Sequence, residues 1–383
     1  MSRHSNGDGN IRERSPGRWE ASVMLAGHRY YASASSELAV RRRLRELSVK
    51  HAQGQLVPHS RLTVERHLDD WVESGRADWK PRTTEYYETV CRLYLKPAFG
   101  HRRLQALGSH ELARQFSQWK ASGDLAGGTL LNVHKTLHRA LTVAVRWGRL
   151  SINPANGVEP PRARRAVPTL WTPEELHRFL TETRDSHWEV AWALLLGTGC
   201  RLGEALALEW ADIEHDSATV KIERSLSVSL SGVGLTAPKS RAGTRTLSLP
   251  DWTLLVLTSW KRQQLKERLA SGSGWQAGNR VLTRPNGSAA TADTIRWAFR
   301  LACRASDVPL VRLHDMRHLH ASLLLASGHP LPAVAARLGH ASTAVTASVY
   351  AHALAGQDTE AARTIDRLVP QLPRLTDIYV ELG

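Results

Sequence analysis

Residues 171–180 read WTPEELHRFL. Thr172 is suited to cap a helix, Pro173 fits the first helical position, where its missing N–H costs nothing, and Glu175 completes a capping box. Just upstream lies NPANGVEPPRARRAVP, residues 153–168, in which closely spaced prolines limit helix formation. A folded unit therefore begins near residue 169, and the stretch before it reads as a charged linker.

Between about Leu62 and Val158 the pattern is helical throughout. Helices are expected at Val64 to Ser74, Thr83 to Leu95, Ser109 to Ser122 and Thr129 to Trp147. In the last of these Leu130, Val133, Leu137, Leu141 and Ala144 recur at helical spacing and should face a core, leaving His134, Lys135, His138 and Arg139 pointing elsewhere. The first segment differs. GRWEASVMLAGHRYYASAS, residues 17–35, alternates apolar and polar residues about the turn Ala26-Gly27, and SELAVRRRLREL follows with helical spacing. This predicts a small sheet with one helix, on which Arg41, Arg42, Arg43 and Arg45 cluster. The expected organisation is an N-terminal module over residues 1–55, a helical domain over 60–158, a linker over 159–168 and a second globular domain over 169–383. In that last domain ATVKIERSLSV and RTLSLP carry the period-2 alternation of a small antiparallel sheet amid helices. The fold class is mainly α with small antiparallel β-sheets, in several domains.

With 383 residues, more than one core is expected. The 51 lysines and arginines exceed the 36 acids by 15, and the sequence pI is near 10.3, which points to a polyanionic partner, nucleic acid before any other. A basic membrane-surface protein would need a cationic amphipathic helix or a lipid anchor, and neither is visible. The first residues hold no apolar stretch fit for a signal peptide, and VAWALLLG is too short to span a bilayer, so a cytoplasmic protein is expected. Cys91, Cys200 and Cys303 have no metal-ligand spacing and read as small buried apolar residues.

Four short blocks carry candidate chemistry. In GTGCRLGEALALEWADI, residues 197–213, Arg201 and Glu204 stand three apart and share a helical face. A surface ion pair is the ordinary fate of such a pair; a carboxylate that holds a guanidinium in place is the functional one. APKSRAGTRTLSLP, residues 237–250, sets Lys239 ahead of a turn, where a lysine is usually solvated yet could hand a proton to a phosphate oxygen. HDMRHLHASLLLASGHP, residues 314–330, places His314 and Arg317 on one face. His314 and His318 also have the spacing of a zinc-hydrolase helix, but Arg317 would put a cation beside the metal and no distal third ligand is identifiable, so no metal or other cofactor is expected. LGHASTAVTASVYAH, residues 338–352, ends a helix at Gly339, follows with His340, and sets Tyr350 early in the next helix. A tyrosine with a pKa of about 10 is a weak nucleophile unless neighbouring cations favour the phenolate or a base takes its proton. Together the blocks supply what attack on a phosphodiester requires without a metal: guanidinium forks for the non-bridging oxygens, proton carriers and a nucleophile.

In this order and at these separations the blocks resemble the tyrosine recombinase, or phage integrase, family. That resemblance implies that Arg201 and Arg317 clamp the scissile phosphate, that Lys239 protonates the leaving 5′ oxygen, and that His314 and His340 support proton transfer and phosphate contact. Glu204 would orient the site, and Tyr350 would form a 3′-phosphotyrosyl bond. Arg241 and Arg245 are alternatives for the place of Lys239. Upstream, the helical domain is similar to the family's core-site-binding domain and the first 55 residues to its arm-site-binding sheet. The implied activity is site-specific integration or excision of a mobile element at double-stranded DNA attachment sites by a homotetramer, with accessory DNA-bending or directionality proteins and no membrane. A DNA-relaxing topoisomerase of similar chemistry and a catalytically silent DNA-binding regulator are the alternatives.

Overall fold

The computed structural model describes residues 10–25, 27–52, 57, 60–162, 169–229, 232–236, 241–276, 278–340, 342, 343 and 347. The chain divides into two compact units, Met1–Ala166 and Val167–Gly383. It is mainly helical with small antiparallel sheets.

Strands β1 (Asn10–Ser15), β2 (Arg18–Leu25) and β3 (His28–Ala34) form an antiparallel sheet in that order, covered on one face by α1 (Glu37–Ala52). The expected alternation places Ala21 and Val23 inward with Tyr30, against Val40 and Leu44 of the helix. Gly27, at φ +81°, makes the tight return between β2 and β3. Strand β1 adds an edge whose polar sequence carries no apolar alternation and so escapes the pattern.

The helical part of the first unit holds α2 (Val64–Gly75), α3 (Pro81–Val90), α4 (Lys96–Phe99), α5 (Ser109–Ser122) and α6 (Gly127–Arg146). Where one helix was expected from Thr83 to Leu95, α3 passes through a π-helical turn, Cys91–Leu95, into α4. Pro97 has no N–H to give to the preceding turn, and the wider turn accommodates it. The predicted stripe of α6 is buried together with Leu68, Trp71, Phe99 and Leu112. His134, expected to face away, is a correction: it is 4% exposed and packs edge-on to Phe116 at 5.4 Å, because the apolar face of α6 is wider than its leucine stripe.

In the second unit the capping box at Thr172 forms as its sequence dictates. The Glu175 N–H donates to Thr172 Oγ1 at 3.2 Å and the Thr172 N–H to Glu175 Oε2 at 2.8 Å, starting α7 (Pro173–Glu182). Helix α8 (Glu189–Thr198) is apolar on every side and buried from Val190 onward, so it runs through the centre of the unit rather than along its surface. Its Trp192 joins Trp171, Phe179 and Phe299 in an aromatic cluster, with neighbouring ring centroids 4.7–5.8 Å apart. A short α9 (Leu202–Ala207) leads to β4 (Ile213–Glu214), β5 (Thr219–Ile222), β6 (Ser225–Ser229), β7 (Gly232–Thr236) and β8 (Arg245–Ser248). These make two sheets where one was expected: β4-β5-β8, with Ile222 opposite Arg245, and the separate hairpin β6-β7. Helices α10 (Asp251–Ser271), α11 (Ala292–Ala305), α12 (Asp315–Ala326) and α13 (Leu331–Leu338) complete the described part.

The three cysteines are buried as read, and burial raises their thiol pKa values to about 12 for Cys91 and about 11 for Cys200 and Cys303, which leaves them protonated. No described helix is long and apolar enough to cross a membrane.

Candidate active site

Two helix ends frame the site. Helix α8 stops at Gly199 (φ +63°) and α13 at Gly339 (φ +68°), both in the left-handed conformation that glycine adopts without a Cβ penalty. The last carbonyls of a helix have no intrahelical partner and carry its partial negative charge. Here guanidinium groups take them. Arg317 donates to Gly199 O and to Leu338 O, both at 2.6 Å, so one planar fork spans the two ends. Its side chain is nearly inaccessible, at 3%. Burial, then the charge of Arg201, lowers its pKa to about 10, and it stays protonated at neutral pH.

Glu204 organises the other two arginines. Its Oε2 accepts from the Arg201 N–H at 2.9 Å and from Arg245 at 3.0 Å, and its Oε1 accepts from the Arg201 guanidinium at 2.8 Å. A guanidinium has no acceptor, so only the carboxylate half of a capping box forms at the start of α9. Burial raises the Glu204 pKa, but bonding to Arg245 and the charges of Arg245 and Arg201 outweigh it, and the carboxyl sits below the usual range. Arg245 also donates to Arg337 O at 2.8 Å and to Gly243 O at 2.9 Å. Of the two fates open to this pair the carboxylate brace is the one observed: Glu204 is shared in a three-membered network in which it and Arg245 are buried and Arg201 is the exposed end, at 43%.

His314 precedes α12 and keeps an exposed edge, while its inner side is packed beside the His318 ring, 5.2 Å away and perpendicular. Burial, His318, Arg317 and Arg201 lower its pKa to about 4. His340, just past Gly339, is lowered to about 4 by burial and then by Arg317 and Arg201. Both imidazoles are neutral at pH 7 and both feel the same two arginines. Between α8, α11 and the start of α12 a cavity of about 530 Å³ opens onto Arg317 and His314, with Leu195, Leu202 and Phe299 in its wall. Among the described residues no group of three His, Cys, Asp or Glu side chains gathers as a metal-ligand set.

Of the residues singled out in the sequence, Arg201, Glu204, His314, Arg317 and His340 come together. Lys239 and Tyr350 lie outside the described residues. Arg245, weighed only as an alternative to Lys239, belongs to the buried network. His320 and Arg337 drew no notice in the sequence, although they stand one helical turn after Arg317 and immediately before Leu338-Gly339-His340.

Comparison with known proteins gives one consistent answer. Residues 171–357 match the phage integrase family. The integrase of Streptomyces ambofaciens is 28% identical over 372 residues, covering 91% of this chain and 93% of that one. The Tn1549 transposon integrase, solved in complex with transposon right end DNA, superposes with a TM-score of 0.69 at 18% identity, covering 80% of this chain and 99% of that one. A lambda integrase tetramer bound to a Holliday junction gives 0.56 at 16% identity, over 90% and 97% of the two chains. The family match, with the shared fold, marks an enzyme of the tyrosine-type site-specific DNA recombinase class. The domain over residues 171–357 is of the phage integrase family.

Proposed function

We propose that this protein is an integrase that cleaves and rejoins duplex DNA through a 3′-phosphotyrosyl intermediate, so integrating or excising a mobile element. The observation that carries the reading is the convergence of Arg201, Arg317, His314 and His340 at two helix ends braced by Glu204. Arg201 and Arg317 bind the non-bridging oxygens of the scissile phosphate, whose charge grows as phosphorus becomes five-coordinate. Each such donor is typically worth about 3 kcal/mol in the transition state. The phenolic oxygen of Tyr350 attacks phosphorus, its proton passes to a neutral imidazole, and the bond to the 5′ oxygen breaks. Lys239 supplies the proton that this oxygen needs to leave as a hydroxyl. The phosphotyrosyl ester conserves the energy of the diester, so a 5′ hydroxyl from a second duplex can reverse the step without metal or ATP.

The same reading assigns the 60–158 helices to the core site and the 1–55 module to arm sites. Residues 159–168 link them to a catalytic domain over 169–383, and four copies act on paired attachment sites in the cytoplasm with accessory DNA-bending proteins. The excess of 15 positive charges supports a DNA partner, and the lambda tetramer of like fold supports the assembly.

The test uses a labelled duplex carrying the junction between host DNA and the element that holds this gene, nicked near the crossover point. On a denaturing gel, a covalent adduct with the chain that is absent in Tyr350→Phe is expected. Adduct formation with relaxation of a single supercoiled circle but no strand exchange would favour a topoisomerase. Sequence-specific binding with no adduct would mean a silent regulator.

A further inference from the structure

The carbonyls at the end of α8 are divided among three side chains. Leu196 O accepts from His320 Nδ1 at 2.6 Å, Gly197 O from Arg337 at 2.9 Å, and Gly199 O from Arg317. Arg337 also donates to Ser248 O, at the end of β8, at 3.1 Å. One guanidinium therefore ties α13 to both α8 and β8. The backbone it anchors matters for the site, because Arg337 O holds Arg245 and the next carbonyl, Leu338 O, holds Arg317.

His320 sets the orientation of Arg337. Its Nδ1 faces a carbonyl and must carry the proton, so Nε2 presents a lone pair, which accepts from Arg337 Nε at 3.2 Å. The imidazole is 7% exposed and lies on α12 one turn beyond Arg317. The chain of contacts runs from Leu196 through His320 and Arg337 to the two carbonyls that orient Arg245 and Arg317.

We propose that Arg337, aligned by His320, is a positioning residue for the arginine clamp: it fixes the end of α13 so that Arg317 presents its fork at the geometry the phosphate requires, while Arg245 holds the Glu204 carboxylate that orients Arg201. Neither residue touches DNA in this scheme. A displacement of about 1 Å in a catalytic group can lower a rate on the order of a hundredfold, so a tether of this kind acts on catalysis before binding. The inference rests on the proposed function, since it presupposes a phosphate held by Arg317.

The experiment compares adduct formation by the full chain on two nicked junction duplexes, one with an ordinary phosphate at the scissile position and one with a methylphosphonate, which carries no negative charge and needs less from the clamp. The variants are Arg337→Met, Arg337→Lys and His320→Asn. Asparagine keeps an N–H for Leu196 O but offers no acceptor in the place of Nε2. The expected result is at least a tenfold loss for Arg337→Met and His320→Asn on the phosphate and under a threefold loss on the methylphosphonate. Arg337→Lys should recover part of the activity, and DNA affinity should stay within threefold of wild type throughout. Equal losses on both substrates, or loss accompanied by lowered thermal stability in all three variants, would make Arg337 a general structural residue and overturn the proposal, as would unchanged activity. If wild-type protein forms no adduct on either duplex, the functional reading itself fails, and the positioning role falls with it.

Discussion

Arg245 donates to Glu204 at 3.0 Å with both side chains under one-tenth exposed, 8% and 3%. The two stand 41 residues apart, on β8 and α9. A buried pair adds little net stability, because desolvation offsets the attraction, but removing one partner strands the other.

Glu204→Gln should therefore be worse than a surface change. It removes the charge facing Arg245 and Arg201 while keeping the shape. The expected cost is roughly 3–5 kcal/mol of folding stability. Urea unfolding of the variant against wild type measures it, and a loss under about 1 kcal/mol would mean that solvent reaches the pair.

Stability should fall with acid in a defined window. His320 has a folded pKa of about 4 against the 6.5 of an ordinary imidazole, with burial as the main cause and Arg337 next. Between those values the unfolded chain binds more protons, so stability is full above about pH 6.5, falls as pH drops toward 4, and levels off below. For this imidazole the loss is on the order of 1–3 kcal/mol. Glu204, whose pKa is lowered, contributes stability that is lost only at lower pH, as its folded pKa is crossed. Denaturant midpoints from pH 7.5 to 4.5 should decline in wild type and decline less in His320→Asn; parallel curves would remove His320 as a cause.

Gly339→Ala and Gly123→Ala separate backbone strain from crowding. Both positions have positive φ, +68° and +74°. At Gly123 a Cβ would meet nothing within 4 Å, so a cost of about 1–2 kcal/mol from the left-handed backbone alone is expected. At Gly339 it would lie 2.8 Å from Ala242 O and 2.9 Å from the Arg245 guanidinium. Gly339→Ala should lower thermal stability further and reduce adduct formation at least tenfold, whereas Gly123→Ala should leave chemistry unchanged; equal effects on adduct formation would disprove the distinction.

On the helical domain, Lys135 and Arg139 are exposed one turn apart on α6, beside Tyr86 and Asn132. Arg139 is braced by the Tyr87 hydroxyl at 2.8 Å and lies 5.5 Å from that ring's centroid and 5.7 Å from that of Trp79. If this face meets phosphates, Lys135→Gln should weaken DNA binding and reduce the slope of log K against log salt by about 1. A salt titration of binding to the junction duplex reads it directly, and an unchanged slope would place the contact elsewhere.

Much of this was legible in local sequence. The start of α7 is written in Thr172, Pro173 and Glu175, and the ends of α8, α12 and α13 in Gly199, Gly328 and Gly339, since capping and positive φ depend on neighbours a few residues away. The apolar stripe of α6 announced its core face, though not that the face was wide enough to include His134. Strand β1 and the π-helical turn after Val90 were not legible. The one pairs through backbone that any side chain supplies, and the other is a single widened turn with no periodicity of its own.

The chain's order of residues by itself determined where helices begin and stop, which faces are apolar, and which side chains could do phosphate chemistry. Only the tertiary structure decided that Arg317 would bond a carbonyl 118 residues away, that Glu204 would be shared by Arg201 and Arg245, and that Arg337 and His320 would brace them. The reason is range. A capping box or a glycine turn closes within one turn of chain, whereas an arginine's partner depends on which helix ends the packing of α8, α12 and α13 brings together, and orphan carbonyls there leave no trace in the identity of the residues that carry them.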